Sequence, residues 1–386
     1  MPGRHHLFVP GPANVPDRVL RAMAVPMEDH RSPRFPDLTL PLFADLKKGF
    51  RTSAGQTYIL QSTGTGAWEA CLTNTLSPGD KVLAPRFGQF SHLWIEMARR
   101  HGLEVLVQEE DWGKGVDPQR VGDALRADPH HAIKAVLAVH NETATGVTSD
   151  LAALRQAMDH AGHPALLMAD GVSSIGSLDF RMDEWRVDCA ITGSQKGLML
   201  PTGMSFVGMS PKAMAAAETA GLARAYLDFR DQAKANATGY FPYTPSIPML
   251  YGLRAALDML LAEGLEAVVA RHRHLAGGVR AAVAAWGLET CARGPQWHSD
   301  TVTAIMTPRA AEVIARAYER YRISFGAGLA QVAGKLFRIG HLGDLNEVML
   351  LGALAGAEMA LVDCGVAVAP GSGVAAAQAH YRALSA

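Results

Sequence analysis

Between residues 58 and 208 the chain alternates short β-rich runs with stretches of helical character. The runs cover residues 58–60, 81–84, 104–107, 135–139, 165–169, 188–191 and 205–208. Strands alternating with helices predict a mostly parallel sheet with helices on its faces, because parallel neighbours can be joined only by a long crossover. In such a sheet, ligands bind in the crevice outside the carboxyl ends of the strands. Two runs deliver an ionisable group there. Asp170 follows the run 165–169, and Lys196 closes Thr192-Gly193-Ser194-Gln195-Lys196-Gly197 after the run 188–191.

An amine and a carboxylate at neighbouring strand ends are what pyridoxal phosphate chemistry uses. The lysine forms the Schiff base, and the acid keeps the pyridine nitrogen protonated so that the ring accepts electrons. Each residue also has an ordinary reading, the lysine as a solvated loop residue and the aspartate as a helix cap. The other strand ends bear on the choice. Ser62-Thr63-Gly64-Thr65-Gly66 opens a helical run. It forms either a phosphate cradle of free backbone amides or a plain Gly-rich cap. A dinucleotide fingerprint is excluded, since Glu69 stands where its third glycine belongs. Phe90 could stack on a flat ring or fill the core. His140-Asn141-Glu142-Thr143-Ala144-Thr145-Gly146 is too polar for a core loop, with Thr143 a cofactor contact and Glu142 a helix cap or ion-pair partner. Tyr240-Phe241-Pro242-Tyr243-Thr244-Pro245-Ser246 is either a rigid surface turn or an interface element. Arg338, on an apolar strand, needs a partner: a structural carboxylate or a substrate carboxylate.

Leucines 250, 253, 257, 260, 261 and 265 mark a long amphipathic helix, with Gly264 as a break or bend. Helices over 271–286, 310–321 and 346–362 and strands over 301–306 and 337–339 then predict a smaller α+β unit; Pro370-Gly371-Ser372-Gly373 reads as a loop. The expected organisation is an extended arm at 1–15, a large domain at 16–262 and a small domain at 263–386. A net charge of −1 leaves no electrostatic footprint for nucleic acid. No apolar run approaches the roughly 20 residues that span a membrane. The N-terminal stretch has no apolar signal core and the C-terminus no peroxisomal address, so a cytoplasmic protein is expected. Cys71, Cys189, Cys291 and Cys364 are far apart, which argues against a metal site or disulfide framework.

Taken together, these segments resemble the class V aminotransferases of the fold type I pyridoxal phosphate enzymes. The resemblance runs from Val9-Pro10-Gly11-Pro12 to Gly371-Ser372-Gly373-Val374. It is carried by Ser62-Thr63-Gly64-Thr65-Gly66-Ala67-Trp68-Glu69, Thr73-Asn74-Thr75-Leu76-Ser77-Pro78-Gly79-Asp80, Asp170-Gly171-Val172-Ser173-Ser174-Ile175, Gly193-Ser194-Gln195-Lys196 and Phe337-Arg338-Ile339-Gly340-His341-Leu342-Gly343, with the His140 segment. The resemblance implies that Lys196 bears the cofactor and then acts as general base, and that Asp170 pairs with the pyridine nitrogen. Phe90 stacks on the ring; Thr63, Gly64, Thr65 and Gln195 hold the phosphate; Thr143 and Val172 are further cofactor contacts. Arg338 binds the substrate carboxylate, near the arm at Gly11 and the loop Asp29-His30-Arg31-Ser32-Pro33. Thr244 reaches the phosphate in a neighbouring subunit, so a homodimer is implied. Some relatives place a tyrosine where this chain has Phe241, and Tyr240 is the favoured source of that hydroxyl over Tyr243. The implied reaction is transfer of the amino group of L-serine to glyoxylate. Aspartate or alanine are alternative donors, and a desulfurase-like lyase or a non-catalytic scaffold are more distant readings.

Overall fold

The computed structural model describes residues 4–383. Strand β1 (His6–Phe8) lies in the N-terminal arm. The alternating region folds into β2 (Gln56–Leu60), β3 (Lys81–Arg86), β4 (Glu104–Glu109), β5 (Ile133–Val139), a two-stranded excursion of β6 (Asn141–Glu142) and β7 (Val147–Thr148), then β8 (Leu166–Asp170), β9 (Cys189–Gly193) and β10 (Ser205–Met209). Without the excursion these strands form one seven-stranded sheet in the order β2-β10-β9-β8-β5-β3-β4. Only β10 runs against its neighbours; the remaining pairs are parallel. Strands β2, β3, β5, β8 and β9 therefore all end at the same edge. β8 and β9 are buried along their whole length, and β5 everywhere except Lys134. This is why these strands read as continuous apolar runs rather than alternating ones: helices cover both faces.

The C-terminal part supplies β11 (Val302–Met306), β12 (Ile323–Ala327) and β13 (Leu336–Gly340), in a four-stranded sheet ordered β1-β12-β13-β11. The arm is thus more than an extended segment. Its β1 runs parallel to β12, with His6 opposite Ile323. Gly264 is the expected break: with φ 88 it separates the helices Ile247–Glu263 and Leu265–Ala285. The second helix begins at Leu265, earlier than the predicted 271. The stretch at 370–373 is a helix start rather than only a loop, since the helix Ser372–Ala383 begins inside it. Buried Glu358 organises that start by accepting from the amides of Gly371 and Gly373. The buried apolar side chains form two main clusters. One surrounds the seven-stranded sheet; the other joins Phe8 to the helix Leu265–Ala285, the small sheet and the helix Glu347–Asp363.

Candidate active site

The shared edge of the large sheet faces the arm and β13, and the ionisable groups converge there. After β9 the chain turns tightly. Met199 N donates to Lys196 O at 3.0 Å and Leu200 N to Ser194 O at 2.9 Å. The turn projects Lys196 towards the arm, where its Nζ donates to Pro10 O at 2.7 Å. Ala13 N donates to Gln195 O at 2.8 Å, which seats the arm on the same turn. Gly11, with φ +118, lies against the lysine, and a Cβ there would overlap Nζ and stand 2.5 Å from Cε. Burial pulls the Lys196 amine down to about 8, with help from the nearby Arg338 charge and against the pull of Asp170.

Asp170 is the last residue of β8 and is buried. Its one side-chain hydrogen bond among the described residues comes from Val172 N to Oδ1 at 2.8 Å. Burial pushes its carboxyl up to about 7; the Val172 amide opposes this, and the charge of Glu142 adds to it. The indole N–H of Trp68 also faces Asp170 without closing a hydrogen bond. A buried carboxylate with no cation on it is an unmet demand for positive charge or a proton.

The segment after β2 enters the helix Gly64–Thr75 with Thr63 at the N-cap and no side-chain cap. The first bond of this helix is Ala67 N to Thr63 O at 3.0 Å, so the amides of Gly64, Thr65 and Gly66 point out of its start with no partner among the described residues. Gly193 brings the other strand ends to this point. A Cβ on it would meet Gln195 Oε1 at 3.0 Å and Gly64 N at 3.6 Å. Gln195 Oε1 is buried without a partner. Val172 packs on Gly64, where a Cβ would stand 2.5 Å from its Cγ2. Thr65 is exposed and Thr63 half-buried at the mouth of this cradle.

On the other side, Phe90 begins the helix Gln89–Arg100 and is half-buried. Glu142 is the helix cap rather than an ion-pair partner: its carboxylate accepts from Phe90 N and Ser91 N, both at 3.0 Å. Thr143 uses its hydroxyl on Ser173 Oγ at 2.8 Å and its carbonyl on Arg338 Nη1 at 2.9 Å. Arg338 donates also to Ala327 O at 2.9 Å. Arg338 is 7% exposed and forms none of the ion pairs among the described residues. Burial lowers its pKa to about 10, with Glu142 opposing. The structural-carboxylate reading of Arg338 therefore finds no carboxylate.

A family model described as aminotransferase class V matches residues 46–338. The chain belongs to the class V aminotransferases. Its cofactor is pyridoxal 5′-phosphate, and its fold is that of the fold type I enzymes. The chain is 63% identical to the serine–glyoxylate aminotransferase of Methylorubrum extorquens over 389 residues, 99% of this chain and 97% of that protein. It is 54% identical to the L-aspartate–glyoxylate aminotransferase of Paracoccus denitrificans over 389 residues, 100% of this chain and 98% of that protein. Among solved structures, the pyridoxamine–pyruvate aminotransferase of Mesorhizobium loti superposes with a TM-score of 0.91 at 31% identity, covering 98% of this chain and 97% of that one.

The residues of this aminotransferase fit its cofactor. The lone buried Asp170 suits a protonated ring nitrogen. The three open amides suit a phosphate, to which Gln195 would bring its side-chain N–H, and Lys196 is within reach of the same edge. Two of the named residues lie apart from this group within one chain. Tyr240 donates its hydroxyl to Ser32 O at 3.1 Å and stacks on Phe35. Thr244 is exposed, as is Tyr243, which stacks on Tyr226 with ring centroids 4.9 Å apart. Their loop touches the cradle through Ser246 N, which donates to Gln61 Oε1 at 3.2 Å. Sequence reasoning missed Pro10, whose carbonyl holds the lysine amine, and Gln61, which anchors this loop. Neither has a local signal, since a backbone carbonyl and a glutamine after a strand are commonplace.

Proposed function

We propose that this aminotransferase moves the amino group of L-serine to glyoxylate, giving hydroxypyruvate and glycine. The observation that carries the reading is the buried Arg338 guanidinium, held by carbonyls rather than a carboxylate and electrostatically coupled to Lys196. It suits a ligand that brings its own carboxylate, and donor and acceptor both do. Bound pyridoxal phosphate supplies the electron sink for the α-carbon and the carrier for the amino group. In this reading Arg338 orients the substrate carboxylate and Lys196 Nζ takes the proton from the donor α-carbon. A general base works best with a pKa near the working pH, and a lysine lowered to about 8 meets that need. Asp170 would hold a proton on the ring nitrogen, Phe90 would offer its face to the ring, and the arm at Pro10 and Gly11 would keep water from the amine. Thr63, Gly64, Thr65 and Gln195 would hold the phosphate, and Val172 and Thr143 would be further contacts of the cofactor.

Serine as donor is supported by the 63% identity to the Methylorubrum enzyme. Aspartate is the second reading, favoured by the Paracoccus relative and by Arg31, an exposed cation without an ion pair among the described residues. Initial rates with serine, aspartate and alanine, each with glyoxylate as acceptor, decide between them. Serine should give the highest kcat/KM, and a higher value with aspartate would transfer the assignment. We read the assembly as a homodimer, since Thr244 is exposed and needs a partner's phosphate for its role; Tyr240, committed to Ser32, would act there only indirectly. The division into an arm at 1–15, a cofactor domain at 16–262 and a small domain at 263–386 is supported by the two apolar cores and the break at Gly264. We place the enzyme in the cytoplasm, where its free cysteines would stay reduced.

A further inference from the structure

The Phe90 side and the Arg338 side of the site meet at a single carboxylate. Glu142 is fully buried, and its charge is met by N–H and O–H groups rather than by a cation. Oε2 accepts from Phe90 N and Ser91 N, both at 3.0 Å, and Oε1 accepts from Ala144 N at 3.1 Å. The first two amides open the helix that carries Phe90. The third belongs to the turn of Glu142 itself, which is closed by Thr145 N and Gly146 N on Glu142 O at 3.2 and 3.0 Å. Inside that turn Thr143 presents the carbonyl that receives Arg338 Nη1 at 2.9 Å. Gly88 leaves the space for this arrangement. Its φ of −178 is extended backbone open to any residue, yet a Cβ would overlap the Glu142 carboxylate.

We propose that Glu142 is a positioning residue that couples the cofactor's ring face to the substrate-carboxylate clamp, holding Phe90 through its backbone amide and Arg338 through the Thr143 carbonyl. The inference rests on the roles given to Phe90 and Arg338 above. Glutamine cannot replace it, because its amide nitrogen would face backbone N–H donors where only an acceptor serves. Glu358 provides the matched control: it is also a buried carboxylate organising a helix start, but in the C-terminal core.

The test compares E142Q, G88A and E358Q. G88A leaves the carboxylate in the chain and only displaces it, so it serves even if E142Q does not fold. Three quantities are measured: the Kd for pyridoxal phosphate titrated into cofactor-free protein, the KM for glyoxylate, and the melting temperature. E142Q and G88A should each raise both the Kd and the KM about tenfold, the loss of roughly one charge-assisted hydrogen bond at each end. E358Q should lower the melting temperature and leave both constants unchanged. The inference is overturned if E142Q and G88A behave like E358Q. Phe90→Leu and Arg338→Lys separate the two layers. If neither moves its constant, the site assignment itself fails and takes the inference with it. If both do and the Glu142 and Gly88 variants do not, only the inference fails.

Discussion

At the amino end of β9, Asp188, Lys212 and Arg155 lie together; at its carboxyl end stand Asp170, Lys196 and Arg338. The side-chain chemistry is the same, and the accounting differs. Asp188 accepts from Leu167 N and Ser210 Oγ at 2.8 Å each, and Lys212 Nζ stands 3.5 Å from it while donating to Ala165 O at 2.8 Å. Arg155 closes on Asp159 at 2.6 Å. Every charge there has an opposite within the chain. At the other end Lys196 and Arg338 donate to carbonyls, Asp170 accepts from one amide, and no ion pair forms among the three. Burying charge without pairing it is costly. A fold that tolerates it at one edge and avoids it at the other has left that edge's charges for a ligand to complete.

The comparison can be broken by substitutions at the two ends. Lys196→Ala should lower turnover by at least about 10²–10⁴-fold, the range for a lost general base, with little change in melting temperature. Asp188→Ala should do the reverse. It leaves Leu167 N and Ser210 Oγ without their acceptor at a cost of about 1–3 kcal/mol of stability, and should keep turnover per folded molecule within about twofold. Steady-state rates and denaturant melts on both proteins check this; a severe activity loss in the Asp188 variant at full folding would remove the distinction. Next in size, Arg338→Lys should raise the KM for glyoxylate about 10–100-fold while sparing stability, because a point charge does not reproduce the guanidinium fork.

A further effect, away from the β9 pair, is read by acid. Burial holds His140 and His272 neutral down to about 4, and His341 to about 3. Both nitrogens of His341 are engaged, by Thr303 Oγ1 at 2.9 Å and Asp300 O at 3.0 Å. These folded-state values are depressed, so the unfolded chain takes up protons first as pH falls below about 6.5. The stability they contribute is complete above that pH and should drain away between about 6.5 and 3, with His140 and His272 exhausted by about 4. Denaturant midpoints across that window check it, and His341→Gln should flatten part of the slope.

The loaded edge could be read from sequence only in part. The strand-end positions of Asp170 and Lys196 follow from local apolar runs and their polar punctuation, so the large sheet and its loaded edge were legible. The break at Gly264 and the placement of Arg338 on a strand were equally local. What stayed hidden depends on distant pairing. β12 is a short run containing Gly326, paired on one side with β13 and on the other with β1, more than 300 residues away. The Glu142 cap reaches amides 51 and 52 positions earlier, and the Pro10 carbonyl meets a lysine 186 positions later. The helix at Ser372 starts where Gly and Pro suggest a loop because Glu358 supplies the missing acceptor.

The most direct test of the central claim is reduction of the cofactor-loaded enzyme with borohydride, followed by peptide mapping. The account predicts a reduced cofactor adduct on Lys196 and none on Lys212. An adduct on Lys212, or none on Lys196 in protein shown to bind pyridoxal phosphate, would contradict it.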